Sequence, residues 1–142
     1  MPGQRDSMPL TALEAWSIRP GLRAWVAGHN AEAKQRVEAQ LAGVDRPAEG
    51  PVDLAVIAPS TVDEGAYFGG KIRRRLSLGA SLWIVYPNPR SHRVHEFLGD
   101  IEDVVVRLFE SGFHERGKVA VDDDYAAMGF TFDGSDDAES MW

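Results

Sequence analysis

Apolar residues along this chain come in short continuous runs alternating with stretches spaced by three or four. Residues 23–27 read as a strand, apolar after Arg23, that Gly28 ends. The turn Ile18-Arg19-Pro20-Gly21 precedes it, because proline fixes φ and glycine admits positive φ. Residues 31–42 are dominated by Ala, Glu, Lys, Gln, Arg and Leu, all good helix formers. Within them Ala33, Val37 and Leu41 recur every four positions and give one packing face. Asn30 reads as the N-cap and Gly43 as the stop. Residues 52–58 are almost continuously apolar, which predicts a strand covered on both faces, as in a parallel sheet. A helix is predicted over 62–78, weakened by Gly65, Gly69 and Gly70, then a strand over 81–86 closed by Pro87-Asn88-Pro89. Asp100 caps a predicted helix over 101–111, with Val104, Val105, Leu108 and Phe109 as its core face and Gly112 as its stop. Residues 113–121 and 127–132 predict two strands of a hairpin around 122–126.

That order specifies the α/β class: one three-layer, Rossmann-like domain with a mostly parallel sheet and helices on both faces. The terminal hairpin supplies an antiparallel edge. The domain is expected over residues 18–132. Residues 1–17 form an N-terminal extension, and 133–142 an acidic tail expected to fray in water.

The chain has 142 residues, which suits one domain, and a net charge of −7. That charge argues against general nucleic-acid binding and against an anionic membrane surface, since both are polyanions. It is unevenly spread: 133–142 carries Asp133, Asp136, Asp137 and Glu139 with no base. With Arg5 set against Asp6 and Glu14 in 1–17, the body 18–132 is left at −2. Cysteine is absent, which excludes disulfides, thiolate metal sites and thiol nucleophiles. No run approaches the ~18 apolar residues of a membrane span or the pattern of a signal peptide, so a cytoplasmic protein is expected.

Three segments resemble a small bacterial family, domain of unknown function 3052. They are Ile18-Arg19-Pro20-Gly21-Leu22-Arg23, the stretch Leu78-Gly79-Ala80-Ser81-Leu82-Trp83-Ile84-Val85-Tyr86-Pro87, and Lys118-Val119-Ala120-Val121-Asp122-Asp123-Asp124-Tyr125 with Met128-Gly129-Phe130. The resemblance spans about residues 17–132. It implies a compact methyltransferase-like Rossmann fold and carries no established activity, substrate or cofactor. Asn88 stands where the family usually has lysine, and Tyr125-Ala126 stand where it usually has Trp-Ser.

Open α/β sheets bind ligands at the carboxyl ends of their strands. The candidate ligand-binding residues there are Gly28, His29, Asn30, Ser60 and Asn88. A dinucleotide loop needs G-x-G-x-x-G, and Ala27-Gly28-His29-Asn30-Ala31-Glu32 offers one glycine of the three. S-adenosylmethionine or a nucleotide is therefore disfavoured, and no cofactor is expected. Asp45 reads as a solvated turn residue before a ribose ligand. Pro87-Asn88-Pro89-Arg90 resembles the Asn-Pro-Pro-aromatic loop of amino-methyltransferases, but arginine replaces the aromatic platform, and a rigid turn is the favoured reading. No second cluster sits near His92, His95 and Glu96 in sequence to complete a ligand set, so no metal site is expected. Arg90 and Arg93, with Ser91, form a candidate anion-binding loop. Lys71, Arg73, Arg74 and Arg75 read as a solvated helix end, with an acidic partner as the alternative. Asp122-Asp123-Asp124 reads as a polar turn, since an EF-hand's glycine and distal glutamate are missing.

With no catalytic residue legible, the sequence favours a non-catalytic, degenerate methyltransferase-like domain acting as a binding or regulatory module. One alternative is a small enzyme, an S-adenosylmethionine-dependent methyltransferase or a nucleotide-binding enzyme, using the strand-end crevice. Another is a homo-oligomeric structural module anchored by Trp16, Trp25, Trp83 and Trp142. A protein partner or a second copy of the chain is the expected kind of partner.

Overall fold

The computed structural model describes residues 12–132; the acidic segment expected over 133–142 and most of the N-terminal extension lie outside them. Five strands form one sheet: β1 (Ala24–Ala27), β2 (Val52–Ile57), β3 (Leu76–Pro87), β4 (Phe113–Ala120) and β5 (Tyr125–Phe132). Their order is β1-β2-β3-β5-β4. β1, β2 and β3 run parallel, and β5 lies antiparallel to both neighbours, between β3 and β4. The helices are α1 (Ala12–Ala15), α2 (Ala31–Gln40), α3 (Val62–Ile72) and α4 (Ile101–Glu110). Single 3-10 turns occupy Arg73–Arg75 and Val94–Glu96. The expected fold class is present, with the last strand inserted inside the hairpin's partner rather than outside it.

The layers follow from the two side-chain periods. Ala33, Val37 and Leu41 of the α2 side meet Leu54, Val56, Trp83 and Val85 on one face of the sheet. Ile72, Val104 and Leu108, from α3 and α4, meet Ala55, Ile57, Leu82 and Ile84 on the other. Neighbouring strand residues thus point to opposite faces, and both faces are covered, which is why β2 and β3 read as continuous apolar runs. Trp16 and Trp83 are buried, with ring centroids 6.5 Å apart. Gly129 leaves the room: a Cβ there would lie 2.5 Å from the Trp83 ring.

Asp45 is not a free turn residue. It forms an isolated parallel bridge with Arg23, and its carbonyl accepts the Ala24 N–H at 2.8 Å. The carbonyl of Arg23 faces the other way and accepts from Asp53 at the start of β2. The C=O of Arg23 and the N–H of Ala24 belong to one trans peptide group and so point to opposite sides. Asp45 therefore flanks β1 on the side away from β2, and the chain reverses its direction across the sheet at β1.

One boundary differs from expectation. The helix predicted over 62–78 stops at Ile72, and Leu76 already pairs with Val52. Tertiary bonds override the helical composition here. Arg75 donates to the carbonyls of Gly50 and Pro47, and the Ser77 hydroxyl to the Val52 carbonyl and the Asp53 carboxylate. Arg73 donates to the Ser111 carbonyl and lies over the Phe132 ring. Arg73 and Arg75 thus tie segments together instead of forming a solvated helix end. No helix among the described residues is long and apolar enough to cross a membrane.

Candidate functional site

The chain reversal at β1 makes the carboxyl ends of β1 and β2 a topological switch point, where open α/β sheets leave a crevice. Here the backbone closes it tightly. Gly28 has φ +123°, and a Cβ on it would lie 2.1 Å from the Ala58 carbonyl oxygen. The glycine therefore serves the contact of β1 with β2. Asn30 N–H donates to the same Ala58 carbonyl at 3.0 Å.

Two of the sequence candidates are joined by a residue that was not among them. Glu64 Oε1 accepts the backbone N–H groups of His29 and Ser60, each at 2.9 Å. Its other oxygen pairs with His29 Nδ1. A carboxylate of the chain itself thus occupies the point where amides of two strand-end loops converge. The His29 side chain is mostly exposed, whereas that of Glu64 is almost wholly buried. The signal was present in the sequence: Thr61-x-x-Glu64 is a capping-box spacing, and Thr61 Oγ1 does accept from Glu64 N–H at 3.1 Å.

The segment between β3 and α4 crosses the same strand ends. Leu98 N–H donates to the Ser60 carbonyl, and Leu98 bridges Thr61. An ionic network holds this strap down. The Tyr125 hydroxyl donates to Glu96 Oε1 at 2.5 Å, and Arg93 donates to Glu96 Oε2 at 2.8 Å. Arg36, on α2, donates to Asp122 at 3.0 Å and to Asp124 at 2.8 Å, and Ser91 donates to Asp124 at 2.8 Å. Burial pushes the Glu96 carboxyl upward, but Tyr125, Arg93 and the Asn30 amide outweigh it and hold it below its ordinary value. Arg36 and Ser91 hold Asp124 below its ordinary value too. Burial, then Glu96, pushes the Tyr125 hydroxyl well up. Glu96 and Asp124 are therefore anionic and Tyr125 a neutral donor at neutral pH.

Asn30 sits beneath this strap and is 6% exposed. Its Oδ1 caps α2 by accepting from Ala33 N–H at 3.2 Å. Its Nδ2 lies toward Glu96 and helps keep that carboxyl lowered, but it forms no well-aligned hydrogen bond there. Asn88 joins this network through its backbone alone. Its side chain accepts from Arg90 N–H within its own turn, and its backbone N–H donates to Asp124. Arg93, a candidate anion binder, is already engaged by Glu96, whereas Arg90 is exposed. Asp122 Oδ1 accepts from the N–H groups of Asp124 and Tyr125, which makes the polar turn. Asp45 lies level with the start of β1, at the opposite end of the sheet from a ribose site. Among the described residues no group of three His, Asp or Glu is close enough to hold a metal ion.

Sequence reading missed Glu64, Arg36, Asp124 and Tyr125 as members of one site. They come from three segments, and Arg36 and Asp124 stand 88 positions apart. Beside the strap, a groove of about 390 Å³ opens at the end of β3, lined by Tyr86, Pro87, Pro89, Phe97, Asp100 and Ile101, among others.

No family model matches the sequence, and no curated protein matches it. Solved structures do match the fold. A methyltransferase dependent on S-adenosylmethionine (SAM) from Aquifex aeolicus has a TM-score of 0.58 at 13% identity, covering 84% of this chain and 87% of that one. A TehB-like SAM-dependent methyltransferase from Corynebacterium glutamicum has a TM-score of 0.54 at 11% identity, covering 84% and 85%. Fibrillarin from Aeropyrum pernix, with natively bound S-adenosyl-L-methionine, has a TM-score of 0.50 at 11% identity, covering 80% of this chain and 57% of its own. The present chain thus spans little more than half the length of the fibrillarins it matches. At these identities the likeness establishes the fold, a methyltransferase-like Rossmann domain. The neighbours are nonetheless enzymes, and they correct the sequence reading of a non-catalytic, degenerate domain and its lean away from an enzyme. That reading rested on a missing glycine signature. A switch point is a property of backbone topology, and it is present here without the signature.

Proposed function

We propose that this protein is a small enzyme of the SAM-dependent methyltransferase kind, working at the carboxyl ends of β1, β2 and β3. The observation that carries the reading is the buried Asn30 amide at the switch point, whose Nδ2 faces Glu96 without forming a well-aligned hydrogen bond. A buried unpaired donor costs about 1–3 kcal/mol, and a bound acceptor removes that cost. SAM has an amino-acid end, and the residues present fit it. Asn30 Nδ2 offers a donor to a carboxylate, and Glu64 offers a carboxylate to an ammonium once the exposed His29 imidazole withdraws. Bound there, SAM would supply an electrophilic methyl group.

The groove at the end of β3 suits the acceptor. Pro87, Pro89, Phe97 and Ile101 exclude water from an apolar body, and Asp100 presents a carboxylate to a basic or hydrogen-bond-donating end. Tyr86 closes its inner side, and burial raises the Tyr86 hydroxyl above its ordinary value, so it remains a neutral donor. Membership of the domain of unknown function 3052 family is part of this reading and rests on the motifs at 18–23, 78–87 and 118–130.

Equilibrium dialysis of the full chain against SAM and S-adenosylhomocysteine tests it. Saturable one-to-one binding is expected. Asn30→Asp, which keeps the helix cap and repels a carboxylate, should weaken it about tenfold or more, and Glu64→Gln similarly. An absence of saturable binding at millimolar cofactor overturns the reading.

A further inference from the structure

A second polar recess lies at the other end of the sheet, level with the amino ends of β2 and β3. It has a volume of about 240 Å³, and its lining includes Trp16, Arg19, Asp53, Ser81 and Arg116. That is below the ~300–1,000 Å³ of sites for drug-sized ligands, so an occupant must be small.

Its polar groups are unequally satisfied. Asp53 accepts from Arg23 Nε, Arg23 Nη2 and Ser77, so its charge is already answered. Ser81 Oγ accepts from Trp83 Nε1 at 3.0 Å. Trp16 is only 2% exposed, yet its indole N–H is buried and meets no acceptor. Arg116 lies over the Trp83 ring at 6.0 Å, and Arg19 donates to the carbonyl of Ser17. Neither guanidinium meets a carboxylate among the described residues. The carboxylate in the lining, Asp53, is already engaged, so none is left for Trp16, Arg19 or Arg116.

We propose that this recess binds a small oxyanion, an organic carboxylate or a phosphate, through the Trp16 indole N–H with Arg19 and Arg116. Indole offers a donor only, so the ligand atom that meets it must be an acceptor. Arginine forks match both carboxylate and phosphate, so the shared chemistry is the oxyanion. The site is independent of the one at the strand carboxyl ends, because the sheet's own length separates them.

The test uses the ¹⁵N-labelled full chain and follows the indole N–H resonances while inorganic phosphate or acetate is added. With one of the two probes, the Trp16 resonance should move and saturate with a Kd in the millimolar range or tighter, while that of Trp25 stays in place. Which probe acts identifies the anion. Arg116→Gln, at an exposed position, should weaken that binding about tenfold or more and leave the fold intact by circular dichroism. Arg19→Gln should act in the same direction. If neither probe moves Trp16 saturably, if binding spares Trp16, or if both arginine variants bind as the parent does, the proposal fails. SAM affinity should be the same in both arginine variants, so failure here leaves the carboxyl-end reading untouched, and the reverse.

Discussion

The two ends of the sheet solve the problem of buried polarity in opposite ways. At the carboxyl end, Arg36, Arg93, Glu96, Asp124 and Tyr125 satisfy one another across three segments. At the amino end, one carboxylate, Asp53, is fully answered by its own neighbours, and Trp16, Arg19 and Arg116 line a recess. The carboxyl end is held shut by internal ionic bonds, and at the amino end the acceptors are already used while the Trp16 indole N–H has none. A ligand at the first must displace interactions such as His29–Glu64, whereas a ligand at the second only completes them. Affinity is a difference between such terms, so a closed site with good chemistry binds more weakly than its contacts suggest.

The largest expected effect breaks the carboxyl end at its backbone. Gly28→Ala forces a Cβ against the Ala58 carbonyl at a left-handed φ, so a loss of about 4 kcal/mol or more is expected. Urea unfolding measures it, or the variant fails to fold. Gly79→Ala, at the amino end, shares a positive φ of +81° but has open space around it, and should cost only about 1–2 kcal/mol. Equal losses for the two would mean that φ, and not the contact with Ala58, decides.

The second test compares the carboxylates by pH. Hydrogen bonds from Arg23, the largest cause, lower the Asp53 carboxyl to about 2. A lowered folded-state pKa stabilises the fold above the unfolded value near 4, and that stability is lost as pH falls toward 2. Asp53→Asn should therefore cost about 2 kcal/mol at neutral pH, with the difference from the parent closing by about pH 2. Glu96→Gln should narrow its gap in the same direction, because the Glu96 carboxyl is also lowered. A gap that stays constant with pH would assign the loss at Asp53 to packing.

The smallest effect concerns one hydroxyl. Tyr125→Phe removes the donor to Glu96 while keeping the buried ring, and should cost about 1–2 kcal/mol. It should also loosen the strap, seen as faster amide exchange at Leu98, whose N–H is bonded to Ser60. Unchanged exchange at Leu98 would show that the strap is held from the Ser60 side alone.

Much of this molecule was legible along the chain, for a local reason. Periods of two and four, a cap at Asn30 and a stop at Gly112 depend on neighbours a few residues away, so strands, helices and class follow from pattern. The candidates Gly28, His29, Asn30 and Ser60 do stand together at the strand ends. Glu64 was within reach through its capping-box spacing. What pattern could not supply was whether the crevice is open. Closure depends on Gly28 meeting Ala58 across two strands and on charges far apart in sequence meeting at Asp124. The same holds for Asp45, whose place beside β1 turns a row of strands into a switch point, and for Trp16, whose unpaired N–H exists only because the fold buries it. Local propensity acts through the backbone of a few residues; contact between distant side chains is set only when the sheet brings them together, and in this protein that contact decides what each end of the sheet can bind.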